Sequence, residues 1–81
     1  MEHMNLRGFL KRLEKWSQQA FGPGERTKGI TDHMKKEIEE IKKDPNELEE
    51  YIDPIMLSFD GALRQGYTPK EIIQGMHDKL D

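Results

Sequence analysis

Four acidic residues have the types and spacing to do chemistry in this sequence. Glu37 and Glu40 form a Glu-x-x-Glu pair, and after nine intervening residues Glu50 and Asp53 form a Glu-x-x-Asp pair. Residues three apart lie on one face of a helix, so each pair would present two carboxylates side by side. A helix-breaking sequence around Pro45 separates the pairs. The spacing therefore predicts two helices, joined by a tight turn, that present four carboxylates to each other.

A cluster of this kind is typical of a site for a hard divalent cation. Neighbouring carboxylates repel one another and cost stability unless something neutralises them. Ligands that are all oxygen favour Mg²⁺, with Mn²⁺ as an alternative, over zinc or copper. Because Mg²⁺ usually binds through carboxylates, waters and substrate phosphates, the cluster points to hydrolysis of phosphate esters or anhydrides. The alternative is that all four are ordinary solvated acids, since 36% of the residues are charged.

Apolar residues recur at spacings of three and four, which predicts an all-α bundle of about four helices. The first helix is expected over about residues 5–20, with Asn5 as its cap. A loop rich in glycine is expected at 21–29. The second helix is expected over about residues 31–43, with Thr31 as its cap.

The third helix is expected to start with Asp44 as its cap and to end near Gln65. Gly61 inside it predicts close approach to a neighbour. The fourth helix is expected over about residues 69–80, preceded by a capping box that begins at Thr68. The inward-facing residues expected in the four helices include Leu10, Leu13, Trp16, Ala20, Ile38, Leu48, Ile52, Ile55, Leu63, Met76 and Leu80.

Length and composition bound the class of protein. The 81 residues suit one domain, 1–81, but only 33% are hydrophobic and none is cysteine. A chain of this size buries only about 60–65% of its unfolded surface, so we expect oligomerisation to complete the fold, as a homodimer or a dimer of dimers. Residues 1–4 are given no weight, because His3 and Met4 resemble a cloning remnant and such an end is often disordered.

Charge and hydropathy exclude several partners. The net charge of −3, with its cations spread along the chain, predicts no binding to nucleic acid or to an anionic membrane. No apolar run approaches the roughly 20 residues of a membrane span. No signal peptide is visible, because Arg7, Lys11 and Arg12 interrupt the first apolar residues. The cytoplasm is therefore the expected compartment.

The order of the motifs along the chain carries a family resemblance. The motifs are Phe-Gly-Pro-Gly-Glu-Arg at 21–26, the Glu-x-x-Glu segment at 33–41, Asp-Pro at 44–45, Glu-Glu-Tyr-Ile-Asp at 49–53 and Leu-Ser-Phe-Asp-Gly-Ala-Leu-Arg-Gln-Gly-Tyr at 57–67. Over about residues 16–79 this series resembles the dATP/dGTP pyrophosphohydrolase domain of phages and bacteria. That domain is a branch of the MazG-like all-α nucleoside triphosphate pyrophosphohydrolases.

The resemblance implies an enzyme of a bacterium or a phage-infected host cell that cleaves between the α- and β-phosphates. Its products would be a nucleoside monophosphate and pyrophosphate, with dATP and dGTP as the expected substrates. The family's metal motif falls on Glu37, Glu40, Glu50 and Asp53. Glu37 and Glu40 are also the catalytic candidates, and one of the glutamates would orient the attacking water.

Seven further residues are candidates for substrate binding. Aromatic rings are candidates for the base, cations for the phosphates, and one acid for a further substrate contact: Trp16 and Phe21; Arg26, Lys28, Arg64 and Lys79; and Asp60. The chain departs from the family pattern at Lys36, where relatives often carry an acid. It also stops at Asp81, where relatives continue with a basic tail. The second hypothesis is therefore a non-catalytic module that binds nucleotide or protein, disabled by the missing tail.

Overall fold

The structure, a computed structural model, describes residues 5–81, which form four α-helices and no strand. The expectation for residues 1–4 lies outside this described part. The helices are α1, Leu6–Phe21; α2, Thr27–Lys43; α3, Glu49–Arg64; and α4, Pro69–Leu80. The prediction of an all-α bundle of about four helices is confirmed.

Local sequence explains both ends of α1. The Asn5 side chain caps the helix as predicted, since its Oδ1 accepts a hydrogen bond of 2.8 Å from the Gly8 N–H. The helix ends at Phe21, and the N–H of the next residue, Gly22, donates to the Gln18 carbonyl at 2.8 Å. The φ angle of Gly22 is 79°, a conformation that glycine adopts at no steric cost.

Helix α2 begins at Thr27, so the prediction of a start at Thr31 is wrong. The Glu25 carboxylate accepts a hydrogen bond of 2.8 Å from the Thr27 N–H. Hydrogen bonds from the side chain and backbone of Thr27 lower the pKa of Glu25. Thr31 lies inside the helix, where its hydroxyl donates to the carbonyls of Thr27 and Lys28. The glycines at 22, 24 and 29 obscured this start, because Gly29 is a poor helix former yet lies within α2.

Helix α3 begins at Glu49, and the prediction of Asp44 as its cap is also wrong. Asp44 instead opens a turn, in which its carbonyl accepts from the Glu47 N–H at 3.0 Å. The Tyr51 hydroxyl donates to the Pro45 carbonyl at 2.8 Å and fastens this turn to the first turn of α3.

The capping box before α4 is confirmed. Thr68 Oγ1 accepts from the Glu71 N–H at 3.1 Å, and Glu71 Oε1 accepts from the Thr68 N–H at 2.9 Å. These reciprocal bonds satisfy two of the free N–H groups at the start of α4.

The core lies where α2 packs along α3, with α1 across α3 and α4. Gly61 of α3 faces α2, since a Cβ there would lie 3.9 Å from the Ile30 side chain. Among the described residues, the buried apolar side chains are Leu10, Leu13, Ile30 and Leu63. No helix within residues 5–81 is long and apolar enough to cross a membrane.

Much of the predicted core is exposed in the single chain. Four short helices enclose little volume, so the outer sides of their apolar stripes stay in solvent. The expected core residues that are exposed include Trp16, Ala20, Ile38, Leu48, Ile52, Ile55, Met76 and Leu80. For these residues the prediction of burial within one chain is wrong.

Candidate functional site

A cavity of about 210 Å³ opens between α1, the loop that follows it, α2 and α3. It brings together four of the seven residues predicted to bind substrate and one of the four predicted to bind metal. Its lining residues are Leu13, Trp16, Phe21, Arg26, His33, Asp53, Met56, Leu57 and Asp60. The cavity therefore combines apolar walls with aromatic rings, a guanidinium group and two carboxylates.

The aromatic side of the cavity is an open stacking surface. Trp16 and Phe21 meet edge to face, with ring centroids 5.9 Å apart. Both residues are about half exposed, at 55% and 53%. The Arg26 guanidinium lies over the Phe21 ring, 3.8 Å from its centroid, which is cation–π geometry. A flat ligand can reach these rings from solvent.

Asp60 is a buried acid that lines the cavity. Its Oδ2 accepts from Arg26 Nη1 and its Oδ1 from Arg64 Nε, both at 3.3 Å. Two guanidinium groups thus neutralise a carboxylate that burial would otherwise make costly. A ligand in the cavity would therefore meet an Asp60 carboxylate that is already paired with Arg26.

Arg64 was predicted to contact phosphate, but the structure gives it other partners. Its side chain is only 2% exposed. Nη1 donates to the carbonyls of Gly22 and Gly24, and Nη2 to the carbonyl and hydroxyl of Ser17. With Nε on Asp60, all five guanidinium donors are engaged within the chain. This geometry favours a structural role over direct contact with phosphate.

The two lysines predicted to contact phosphate lie outside the cavity lining. Lys28 is 91% exposed and pairs with Asp32 at 2.8 Å on the surface of α2. Lys79 is exposed near the end of α4. The structure therefore does not bring these lysines together with Arg26, the guanidinium that lines the cavity.

The four predicted metal-binding acids lie near one another on α2 and α3. Partial burial raises the pKa of Glu50, and the negative charges of Glu40, Glu37, Asp53 and Asp44 raise it further. Within residues 5–81, however, no three acidic, histidine or cysteine side chains converge closely enough to hold a metal ion. The acids are neighbours, but their side chains would have to turn towards one another to share a cation.

Glu37 and His33 connect this cluster of acids to the cavity. Glu37 is buried, at 8% exposure, and its Oε1 lies 3.0 Å from His33 Nε2. His33 lines the cavity one helical turn before Glu37. The sequence spacing places His33 on one face of the helix with Glu37 and Glu40, but His33 was not among the residues predicted to bind metal or substrate.

An all-α bundle that gathers acidic side chains beside a half-open cavity is consistent with the MazG-like class. The family model for dATP/dGTP pyrophosphohydrolase matches residues 9–81. The chain therefore belongs to the dATP/dGTP pyrophosphohydrolase family. Neither the curated proteins nor the solved structures give a significant match.

Proposed function

We propose that the protein is a Mg²⁺-dependent pyrophosphohydrolase that converts a deoxynucleoside triphosphate and water to the monophosphate and pyrophosphate. The observation that carries the proposal is the cavity in which Trp16, Phe21 and Arg26 meet Asp53 of the acidic cluster. A purine ring suits the aromatic side, and phosphates suit the side that holds Arg26 and the acids. We therefore propose dATP and dGTP as the preferred substrates, in keeping with the family.

The side chains of the cavity suggest how the nucleotide is held. Because the two rings meet at 85°, the base would stack on one of them, Trp16 or Phe21, and contact the other at its edge. Stacking of this kind is worth about 1–3 kcal/mol per base in other proteins. Arg26 already stands between the Phe21 ring and Asp60, with its guanidinium beside the cavity. It can donate to a phosphate oxygen while it keeps the ring contact, because a guanidinium has five donors.

The acidic cluster suits a hard cation by its chemistry. Glu37, Glu40, Glu50 and Asp53 offer only oxygen ligands, which Mg²⁺ prefers and Mn²⁺ accepts. The raised pKa of Glu50 marks negative charge that the neighbouring side chains do not compensate. When bound, Mg²⁺ would neutralise charge on the phosphate oxygens.

Within this cluster, one of Glu37 and Glu40 is proposed to orient the attacking water and to accept its proton. A hydrogen bond from water to a carboxylate oxygen would direct the water towards the α- or β-phosphorus. His33, 3.0 Å from Glu37 Oε1, limits the directions in which that carboxylate can turn. These roles place the chemistry on α2, next to His33 of the cavity lining.

We also propose that the site works in a homodimer or a dimer of dimers. The support is the exposure of large apolar residues on the outer side of α3, where Ile52 and Ile55 are 39% and 47% exposed. A second copy of the chain would cover this face and add the buried apolar area that the single chain lacks.

The products of the reaction test the proposed activity. Protein incubated with dATP and Mg²⁺ should yield dAMP and pyrophosphate in equal amounts, resolved by anion-exchange chromatography. Formation of dADP and phosphate would contradict cleavage between the α- and β-phosphates. If no product forms while dATP and Mg²⁺ together raise the melting temperature, the non-catalytic nucleotide-binding hypothesis is the correct one.

A further inference from the structure

We infer that Arg64 is a positioning residue for nucleotide binding: it fixes the loop between α1 and α2 against α3, and so places the cavity wall. The inference rests on the proposed function for its ligand, but it concerns contacts that the fold already makes. Arg64 itself does not line the cavity, so it would act through the residues that do.

The contacts of Arg64 span three parts of the chain. On α1, Nη2 lies 3.1 Å from the Ser17 carbonyl and 2.7 Å from the Ser17 hydroxyl. In the loop, Nη1 lies 2.8 Å from the Gly22 carbonyl and 2.7 Å from the Gly24 carbonyl. On α3, Nε lies 3.3 Å from Asp60. The Arg64 side chain therefore bonds to Gly22 and Ser17, which lie 42 and 47 positions away in the sequence.

The loop is shaped to meet this guanidinium. Gly22 and Gly24 have φ angles of 79° and 107°, which side chains with a Cβ rarely adopt. These conformations let two loop carbonyls point at one Nη atom. Ser17 is buried at 1% exposure, and its hydroxyl has Arg64 as a partner. A lysine at position 64 would offer three donors on one atom instead of a planar fork of five, so it cannot reproduce the set.

The same contacts reach the cavity through Asp60 and the loop. Asp60 uses its second oxygen to hold Arg26, which stacks on Phe21. Phe21 is the last residue of α1, directly before the carbonyls that Arg64 holds, and Arg26 follows them. Fixing Gly22, Gly24 and Asp60 therefore fixes both ends of the stacked pair. Among the described residues, the hydrogen-bond partners of the Arg64 side chain are Ser17, Gly22, Gly24 and Asp60, and none of the four proposed metal ligands is one of them.

Arg64→Lys tests the inference in the full chain. We expect KM for dATP to rise by about tenfold while kcat changes by less than about threefold, because binding weakens and the acids stay in place. Amide hydrogen exchange at residues 22–26 should become faster at a pH and temperature where circular dichroism shows native helicity. Trp16 is the one tryptophan in the sequence, and its ring should become more accessible to an added quencher, so that its fluorescence is quenched more strongly.

Two further variants separate positioning from general loss of stability. Ser17→Ala removes one acceptor of Arg64 and should raise KM in the same direction but less. Gln65→Ala is the matched control, since Gln65 Nε2 also ties α3 to the start of α2, 3.2 Å from Thr27 Oγ1, but does not touch the loop carbonyls. It should leave KM, loop exchange and quenching unchanged. If Arg64→Lys loses helicity, the comparison of KM, loop exchange and quenching between Ser17→Ala and Gln65→Ala decides whether Arg64 acts by positioning the loop.

Unchanged loop exchange and unchanged KM in both Arg64→Lys and Ser17→Ala would overturn the inference. A fall in kcat with KM unchanged would overturn it too, because that pattern follows from a smaller folded fraction. The failure of the proposed function looks different: the wild-type protein then does not turn over dATP, whether or not it binds it. In that case the exchange and quenching experiments alone decide whether Arg64 fixes the loop.

Discussion

Glu50 shows at the level of one residue what the acidic cluster costs the fold. Partial burial and the charges of Glu40, Glu37, Asp53 and Asp44 all raise its pKa above 4.5. A raised pKa means that the folded chain binds a proton at Glu50 more tightly than the unfolded chain does. The stabilising contribution of this proton is complete below pH 4.5 and is lost as the pH rises through the higher pKa of the folded state.

Removing this charge should therefore stabilise the metal-free protein at neutral pH. We expect Glu50→Gln to raise the melting temperature at about pH 7 in EDTA, and to have little effect at about pH 4, where the carboxyl is largely protonated. Thermal unfolding followed by circular dichroism at both pH values measures the difference. Glu49→Gln, at an exposed neighbouring position, serves as the control and should show no such pH dependence. An equal effect of Glu50→Gln at both pH values would contradict the account of the cluster.

The helix caps show, at the level of the element, which hydroxyl groups define the helix starts. Thr68→Ala should lower the free energy of unfolding by about 1 kcal/mol, because it removes the side-chain acceptor of the capping box. Thr31→Ala should have an effect near zero, because the carbonyls that its hydroxyl contacts lie within the helix. Urea unfolding of the two variants measures both values. A large loss at Thr31 with none at Thr68 would mean that α2 starts where the sequence alone suggested.

Local signals predicted the elements wherever the chain itself satisfies the helix end. The Asn5 cap and the Thr68 capping box involve partners three residues away, so spacing reveals them. The start of α2 combines a local bond from the Thr27 N–H to Glu25 with a distant contact, because Arg26, its first flanking residue, pairs with Asp60 of α3. Glycines in this region suggested a longer loop, and no local pattern indicates the pairing that shortens it.

In the candidate site, too, local features could be predicted from the sequence and contacts between distant residues could not. The spacing of the acids correctly placed Glu37 and Glu40 on one helix, and Glu50 and Asp53 on the next. The cavity could not be derived from spacing, because its walls come from α1, the loop, α2 and α3. The partners of Arg64 at positions 17, 22 and 24 could not be predicted either, because they lie forty or more positions away along the chain.

At the scale of the whole molecule, the exposed apolar face is the feature that the single chain leaves unexplained. Four apolar residues are buried among those described, and a core of this size offsets little of the conformational entropy lost on folding. Ile55 lines a shallow apolar groove between α3 and α4 with Phe59 and Met76. Self-association would bury this groove, and a stable interface typically covers about 800 Å² on each partner.

Light scattering across a dilution series tests self-association. We expect a mass of two or four chains, and we expect Ile55→Glu to shift the population towards one chain, because it places a charge in the apolar face. Gln19→Glu adds the same charge at an exposed position of α1 and is the control. A species of 9.5 kDa that is stable and active at all concentrations would rule out the proposed oligomer.

The central claim is that the acids of α2 and α3 form one Mg²⁺-dependent site for pyrophosphate release. The most direct measurement is the rate of pyrophosphate release from dATP and dGTP by the wild type, Glu40→Gln and Asp53→Asn, with Mg²⁺ and with EDTA. Glu39→Gln, a surface acid that pairs with Lys42 at 3.2 Å, is the matched control. We expect Glu40→Gln and Asp53→Asn each to lower the rate by more than about a hundredfold and to leave helicity unchanged. A loss of this size exceeds the usual effect of changing a residue that only supports a metal ligand. Glu39→Gln should match the wild type, and EDTA should abolish release. Rates within a few-fold of wild type in both variants, or release that persists in EDTA, would contradict the claim.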